Sequence, residues 1–415
     1  MSRKYLISFV LAALVAAAVV GVAASRAQGG TTLPAISPAA LLAKVAAAAA
    51  KSPTPVSGAV TWTNGLVPGS DLTNLLGGQG SAPSSLAGLV MGGSGRLWVQ
   101  PGHGARLEVQ GSGSDFVVVG GKDGVWTYSS ATGTAVEYSP AGGAAAPSVS
   151  PGPSAAAVDP LAAITKALER FASTGTVAVT GEQTVAGRQS YVLTVKPAAG
   201  ATTTFGSLQV AIDGATYVPL QVQVFAKDDT TPTLSAGFTS VSYAKNDASL
   251  FSFTPPSGAT VQHRTLPAMT STGGGLATEP QAVRHAPLTL AQAQTRARSY
   301  GLTLALPAKT AALPFAGATV TAARGGRGAS AILHYGRGFG SMILVESTSP
   351  SGGLTQQLAK LPHGLLTTTS VGGAPAHELS TSLVDVIAWQ RGPVTLLAGG
   401  MVPSSALRQF AAGVR

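Results

Sequence analysis

Apolar residues alternate with polar ones along most of this 415-residue chain, and the period is two far more often than 3.6. The clearest stretch runs from Ser207 to Val261. Leu208, Val210 and Ile212 alternate with Gln209, Ala211 and Asp213, and Leu220, Val222 and Val224 alternate with Gln221 and Gln223. Such alternation predicts strands with one buried face. Asp213-Gly214 separates the first two strands, a strong turn signal. Phe238–Tyr243 reads as a third strand, with imperfect alternation that suggests a bulge. Asn246-Asp247 turns the chain into a further strand through Leu250, Phe251 and Phe253. Pro255-Pro256 and Gly258 then stop the sheet, because proline has no N–H for the ladder.

The same pattern fills the preceding two hundred residues. Strands are predicted at Val56–Thr63, Gly95–Gln100, Ala105–Gln110, Asp115–Val119, Val125–Ser129, Ala135–Tyr138, Thr176–Gln183 and Ser190–Lys196, with glycine-containing turns between most of them. Helical spacing appears twice. Ser37-Pro38 opens an alanine-rich helix to Lys51 with Leu41, Leu42 and Val45 on its apolar face, and Asp159-Pro160 opens another to about Ala172. Residues 64–93 are rich in Gly, Ser and Pro yet hold Leu66, Val67, Leu72, Leu75, Leu76, Leu86, Leu89, Val90 and Met91, which reads either as a partly disordered insertion or as a flap over an apolar cavity. Residues 140–157 are low-complexity Ala/Pro/Ser/Gly sequence, a flexible loop.

After a linker, 265–287, a second unit is expected over 288–415. It begins with a helix capped by Thr289. Strands follow at 318–323, 330–335, 341–346, 365–371, 374–380, 384–390 and 394–398, and a last helix is expected at Ser405–Val414 behind a Pro403-Ser404 cap. The overall class is α+β. At the other end, Arg3 and Lys4 precede an uncharged apolar run from Tyr5 to Ala24, so 1–27 reads as a signal peptide or an N-terminal membrane anchor. Either one places the rest of the chain outside the cytoplasm, secreted or tethered.

Composition changes this picture in two ways. There is no cysteine, so disulfides, thiolate metal sites and lipobox acylation are excluded. The net charge of +10 is uneven: residues 31–264 hold 12 basic and 12 acidic side chains, whereas 265–415 hold 11 basic and 4 acidic. The basic C-terminal third suits an anionic membrane surface or a membrane-protein partner as well as plain solubility. No Lys/Arg cluster with interleaved aromatics points to nucleic acid.

Catalytic chemistry is sparse. The histidines 103, 263, 285, 334, 363 and 377 show no metal-ligand spacing, and HExxH and G-x-S-x-G are absent. Gly120-Gly121-Lys122-Asp123 lacks the frame of a P-loop, and Gly336–Gly340 lies between strands rather than at a helix start. The sequence therefore reads as a non-enzyme with no cofactor and no metal.

The run Val218-Pro219-Leu220, then Phe238-Thr239-Ser240-Val241-Ser242-Tyr243, then Phe251-Ser252-Phe253-Thr254-Pro255-Pro256-Ser257-Gly258-Ala259-Thr260-Val261 resembles the end of the lipoprotein-carrier fold. LolA- and LolB-type carriers share that fold with the first domain of RseB/MucB-type sigma-factor regulators. The unit after the linker, with Gly373-Ala374-Pro375-Ala376 and Trp389-Gln390-Arg391-Gly392, resembles the small extracytoplasmic domains that follow such folds. The resemblance implies an antiparallel half-barrel over 31–264 around a helical plug or lid, with an apolar cavity that takes acyl chains of a lipid or lipoprotein. Thin alanine-rich helices leave such a cavity underfilled. The candidate lining is Val60, Trp62, Leu89, Leu97, Trp98, Phe116, Trp126 and Tyr128. Register alone decides which of them face inward, and the sequence does not show it. The alternative is an RseB/MucB-like lipid sensor that restrains a membrane anti-sigma factor or another signalling protein.

Overall fold

The computed structural model describes residues 32–51, 54–66, 92–111, 114–121, 124–140, 175–266, 287–308, 313–322, 328–348 and 366–415. The signal or anchor segment, the apolar stretch 67–91, the loop 141–157 and the helix expected from Asp159 lie outside them.

Two open sheets carry the chain. The first is built from β1 (Val56–Asn64), β2 (Gly92–Gln100), β3 (Gly104–Gly111), β4 (Ser114–Gly121), β5 (Gly124–Ser129), β6 (Thr134–Pro140), β7 (Gly175–Val185), β8 (Arg188–Pro197), β9 (Phe205–Asp213), β10 (Pro219–Ala226), β11 (Leu234–Phe238) and β12 (Thr260–Leu266). Its order is β12-β6-β5-β4-β3-β2-β1-β11-β10-β9-β8-β7, so two meanders meet where β1 pairs with β11. The second contains β13 (Phe315–Ala322), β14 (Ala329–Tyr335), β15 (Met342–Ser347), β16 (Leu366–Val371), β17 (Ala374–Ser380), β18 (Asp385–Arg391) and β19 (Val394–Gly400), in the order β13-β14-β15-β19-β18-β17-β16. Neither sheet closes into a barrel.

Three helices are described: α1 (Pro38–Lys51), α2 (Leu290–Ser299) and α3 (Ser404–Ala412). The Ser37 hydroxyl caps α1 by accepting from the Ala40 N–H at 3.2 Å. Thr289 and Gln292 form a reciprocal capping box on α2. Ser404 does not cap α3 as expected. It lies inside the first turn and donates its hydroxyl to Asp385 Oδ2 at 2.6 Å.

Three expectations at the end of the first sheet need correction. The strand expected at Phe238–Tyr243 stops at Phe238; beyond it Thr239 donates to the Ala59 carbonyl and Ser242 bridges to Ser57. Leu250 and Phe251 belong to a 3-10 turn, because Asp247 accepts from the Ser249 N–H and closes the chain on itself. The sheet does not end at Pro255-Pro256: β12 follows and pairs parallel with β6. Its side chains from Thr260 to Arg264 are all exposed, so it carries no apolar alternation to reveal it.

The sheets share buried surface. Phe205 of the first stacks on Phe339 of the second with centroids 4.0 Å apart and planes 3° apart. The Thr203 hydroxyl donates to the carbonyls of Phe339 and Met401, and the Thr204 hydroxyl donates to that of Leu383. Phe339 and Leu383 thereby join a core with Leu41 and Val45 of α1 and with Tyr191, Leu193, Val195, Val210 and Ile212.

Candidate functional site

In an antiparallel sheet directly opposed residues share a face, so the register sorts the first sheet into rows. One row runs Leu193, Val210, Val222, Ala236, Trp62, Gly93. A second runs Phe238, Val60, Gly95, Val109, Phe116, Ser129, Thr134. A third runs Gly58, Leu97, Leu107, Val118, Thr127, Val136. Val60 and Trp62 are two residues apart, as are Gly58 and Val60, so all three rows lie on one face. No residue in them is charged.

The opposite face is different in kind. Its row Ser57, Trp98, Arg106, Val119, Trp126, Glu137 mixes charge with aromatics. Arg106 pairs with Glu108 and donates to the Leu250 carbonyl. Trp126 and Tyr128 pack against Phe253, at 5.5 and 6.0 Å between ring centroids. The Arg96 guanidinium lies over Trp98 at 5.4 Å.

The candidates from the sequence are thereby divided. Val60, Trp62, Leu97 and Phe116 are buried on the apolar face, each at most 9% exposed. Trp98, Trp126 and Tyr128 are half-buried on the opposite face. Leu97 and Trp98 are consecutive, so a strand cannot point both the same way. Leu89 lies outside the described residues. The structure adds Leu107, Val109, Ala236 and Phe238 to the apolar face, and they cluster there with Val60, Trp62 and Phe116. Leu107 and Val109 are visible in the sequence as alternation in Arg-Leu-Glu-Val-Gln.

Glycines shape this face. A Cβ on Gly93 would lie 2.9 Å from Trp62 Cζ2, so the indole rests on bare backbone of β2. A Cβ on Gly58 would collide with the Ser240 carbonyl. Twelve strands about 4.8 Å apart give a sheet roughly 50 Å across, whereas α1 has 14 residues and is about 21 Å long and 10 Å wide. Its buried side chains, Leu41 and Val45, pack near β8 and β9. No residue of a described helix belongs to the cluster around Phe116.

A polar cluster, missed in the sequence, holds the sheet beside this face. Asp213, the turn residue, is fully buried. It accepts from Arg188 Nε at 2.6 Å, from the N–H groups of Ala215 and Thr216, and from the Tyr243 hydroxyl at 2.9 Å. Burial pushes its carboxyl pKa up, but the bonds from Arg188 and the two amides outweigh that and hold it below the ordinary value. The Asp213-Gly214 turn and the terminal Tyr of Phe-Thr-Ser-Val-Ser-Tyr therefore meet in space.

A cleft of about 520 Å³ opens elsewhere, lined by Lys196, Thr203, Phe225, Lys227, Asp228 and Pro403 among others. It touches none of the candidate residues, and its mixed charge suits no apolar ligand. Among the described residues no group of three or more His, Asp or Glu could hold a metal, and no helix is long and apolar enough to cross a membrane.

No known protein-family model matches this chain, and no curated protein matches it. Solved structures do. The chain is similar to MucB in complex with MucA(peri), at 14% identity and a TM-score of 0.41, over 90% of this chain and 97% of that one. It is similar to MucB in the Pseudomonas aeruginosa MucA/MucB complex at 14% identity and a TM-score of 0.44, with the same coverage. A LolA superfamily protein from Nitrosomonas europaea matches at 9% identity and a TM-score of 0.19, over 53% of this chain and 99% of that one. Both groups that the sequence resembles are thus among the matched structures.

Proposed function

We propose that this protein is an extracytoplasmic, non-enzymatic binding protein that holds acyl chains of a lipid or lipoprotein on the apolar rows of its first sheet. The observation that carries this is the segregation of charge. Three rows of opposed residues, together reaching from β8 to β6, hold no ionisable side chain; Arg96, Arg106, Glu108, Asp115, Glu137 and Asp213 take the other face, and the charged residues on this one, Glu182 and Arg264, sit on the edge strands β7 and β12. An acyl chain needs no polar partner, and each methylene it buries contributes about 0.8 kcal/mol. In this reading the sheet is a half-barrel, with α1 at one end of its apolar face as part of a helical plug. Ligand-contacting residues are Val60, Trp62, Leu97 and Phe116, joined by Leu107, Val109 and Val118. The leader-like sequence of 1–27 supports the location.

The test is uptake of a fluorescent fatty acid by the purified protein and by Val118→Asp. Val118 is only partly buried, so the substitution places a charge on the face at modest cost to folding. Saturable uptake that the variant loses supports the proposal. No uptake by the native protein overturns it.

A second reading, a lipid sensor acting on a membrane signalling protein, draws on the Phe205–Phe339 stack and the Thr203 and Thr204 bonds. These tie the second sheet to the core that α1 and β8–β10 share. Capture of a membrane regulator that lipid releases would favour it over carriage.

A further inference from the structure

From residue 287 onward the described chain holds three side-chain carboxylates, Glu346, Glu378 and Asp385, and all are at most 2% exposed. Each is turned inward to a structural task. Asp385 accepts from the hydroxyls of Ser380 and Ser404 and from the Thr381 N–H. Glu378 accepts from Arg408 Nε at 2.7 Å. Glu346 accepts from the Ala305 N–H at 2.9 Å. The same stretch holds six arginines, and all but the half-buried Arg296 are exposed. Its described surface is therefore free of side-chain carboxylates and carries arginine as its charged residue.

Three of the six arginines lie on the two helices, and one of these, Arg408, is paired with Glu378. Ala293 and Ala297 of α2 and Leu407 and Phe410 of α3 share a core with Leu333, Leu344 and Ile387, so both helices cover the same face of the second sheet. Arg296 and Arg298 lie in the last turn of α2, and Arg408 lies on α3. Tyr300, at the C-cap of α2, is 41% exposed.

We propose that the helical side of the second sheet docks on an anionic phospholipid surface, with Arg296 and Arg298 on lipid phosphates and Tyr300 at the headgroup level. Guanidinium groups match phosphate oxygens in pairs, and an amphipathic ring beside cations is what a membrane interface favours. Arg296 and Arg298 lie at one helix end rather than converging in a cleft, which fits a planar array of anions better than one acidic side chain. The inference does not rest on acyl binding by the first sheet.

The test is co-sedimentation of the full-length protein with vesicles of phosphatidylcholine alone and with vesicles one third phosphatidylglycerol. Binding should require the anionic lipid and fall as salt rises. Arg296→Gln with Arg298→Gln should weaken it about thirtyfold, taking the usual contribution of a cation near a charged membrane for each. Tyr300→Ser should weaken it less. Equal binding to both vesicles, or binding untouched by the paired substitutions, overturns the proposal. Binding to polyglutamate without binding to vesicles also overturns it, in favour of an acidic protein partner. Fatty-acid uptake by the paired variant is measured alongside. Weakened docking with intact uptake in that variant supports this inference; in the native protein, no docking with intact uptake refutes this inference alone, and no uptake with intact docking refutes the acyl-binding reading alone.

Discussion

Glu346 offers a sharp test of the second sheet. It sits on the core face of β15 with no exposure, one carboxylate oxygen bonded to the Ala305 N–H and the other without a hydrogen-bond partner. Burial pushes its pKa from 4.5 up to about 7, against opposing pulls from the Ala305 bond and the Arg391 charge. A rise of that size disfavours the ionised form by about 3 kcal/mol. The folded state therefore holds this proton more tightly than the unfolded chain. The stabilisation is complete below pH 4.5 and is lost as pH rises through about 7. Glu346→Gln keeps the shape and an acceptor for Ala305 but cannot ionise. Its amide nitrogen takes the unpaired position and costs about 1–3 kcal/mol at every pH, so slope rather than absolute stability is the readout. In urea titrations between pH 4 and 8, the native protein should lose about 3 kcal/mol more than the variant. Parallel pH profiles for the two proteins would refute the assignment.

Other consequences are simpler. Asp213→Ala removes the acceptor shared by Arg188, Ala215, Thr216 and Tyr243 and should cost about 3 kcal/mol in urea unfolding. The native protein should lose the Asp213 contribution as pH falls below about 4, and the variant should lack that component, because the folded carboxyl lies below its ordinary value. Phe205→Ala opens the stack with Phe339 and should cost about 3–5 kcal/mol. Its hydrogen exchange should rise at 338–341 and 381–384, and unchanged protection there would show that the two sheets do not depend on this contact.

Much of the strand inventory was legible because period-two alternation and turn residues are local signals. The misses arose where a local signal served a distant partner. Asp247 read as a turn residue, which it is, but its cap on Ser249 folds Leu250 and Phe251 into a 3-10 turn rather than a strand. β12 escaped notice because its exposed residues carry no alternation, and β6 pairs with it from more than a hundred residues away. The candidate site shows the same limit. Val60 and Trp98 were equally good apolar candidates until the register placed one in an apolar row and the other in a row with Arg106. The cation-only surface was hidden as well, since hydropathy patterns do not announce that Glu346, Glu378 and Asp385 turn inward.

Native mass spectrometry of the protein purified from an envelope fraction, with organic extraction of whatever leaves it, tests acyl binding most directly. The account expects an added mass that extracts as lipid and is absent from Val118→Asp prepared in the same way. A clean protein mass that stays clean after incubation with fatty acid or phospholipid would contradict it.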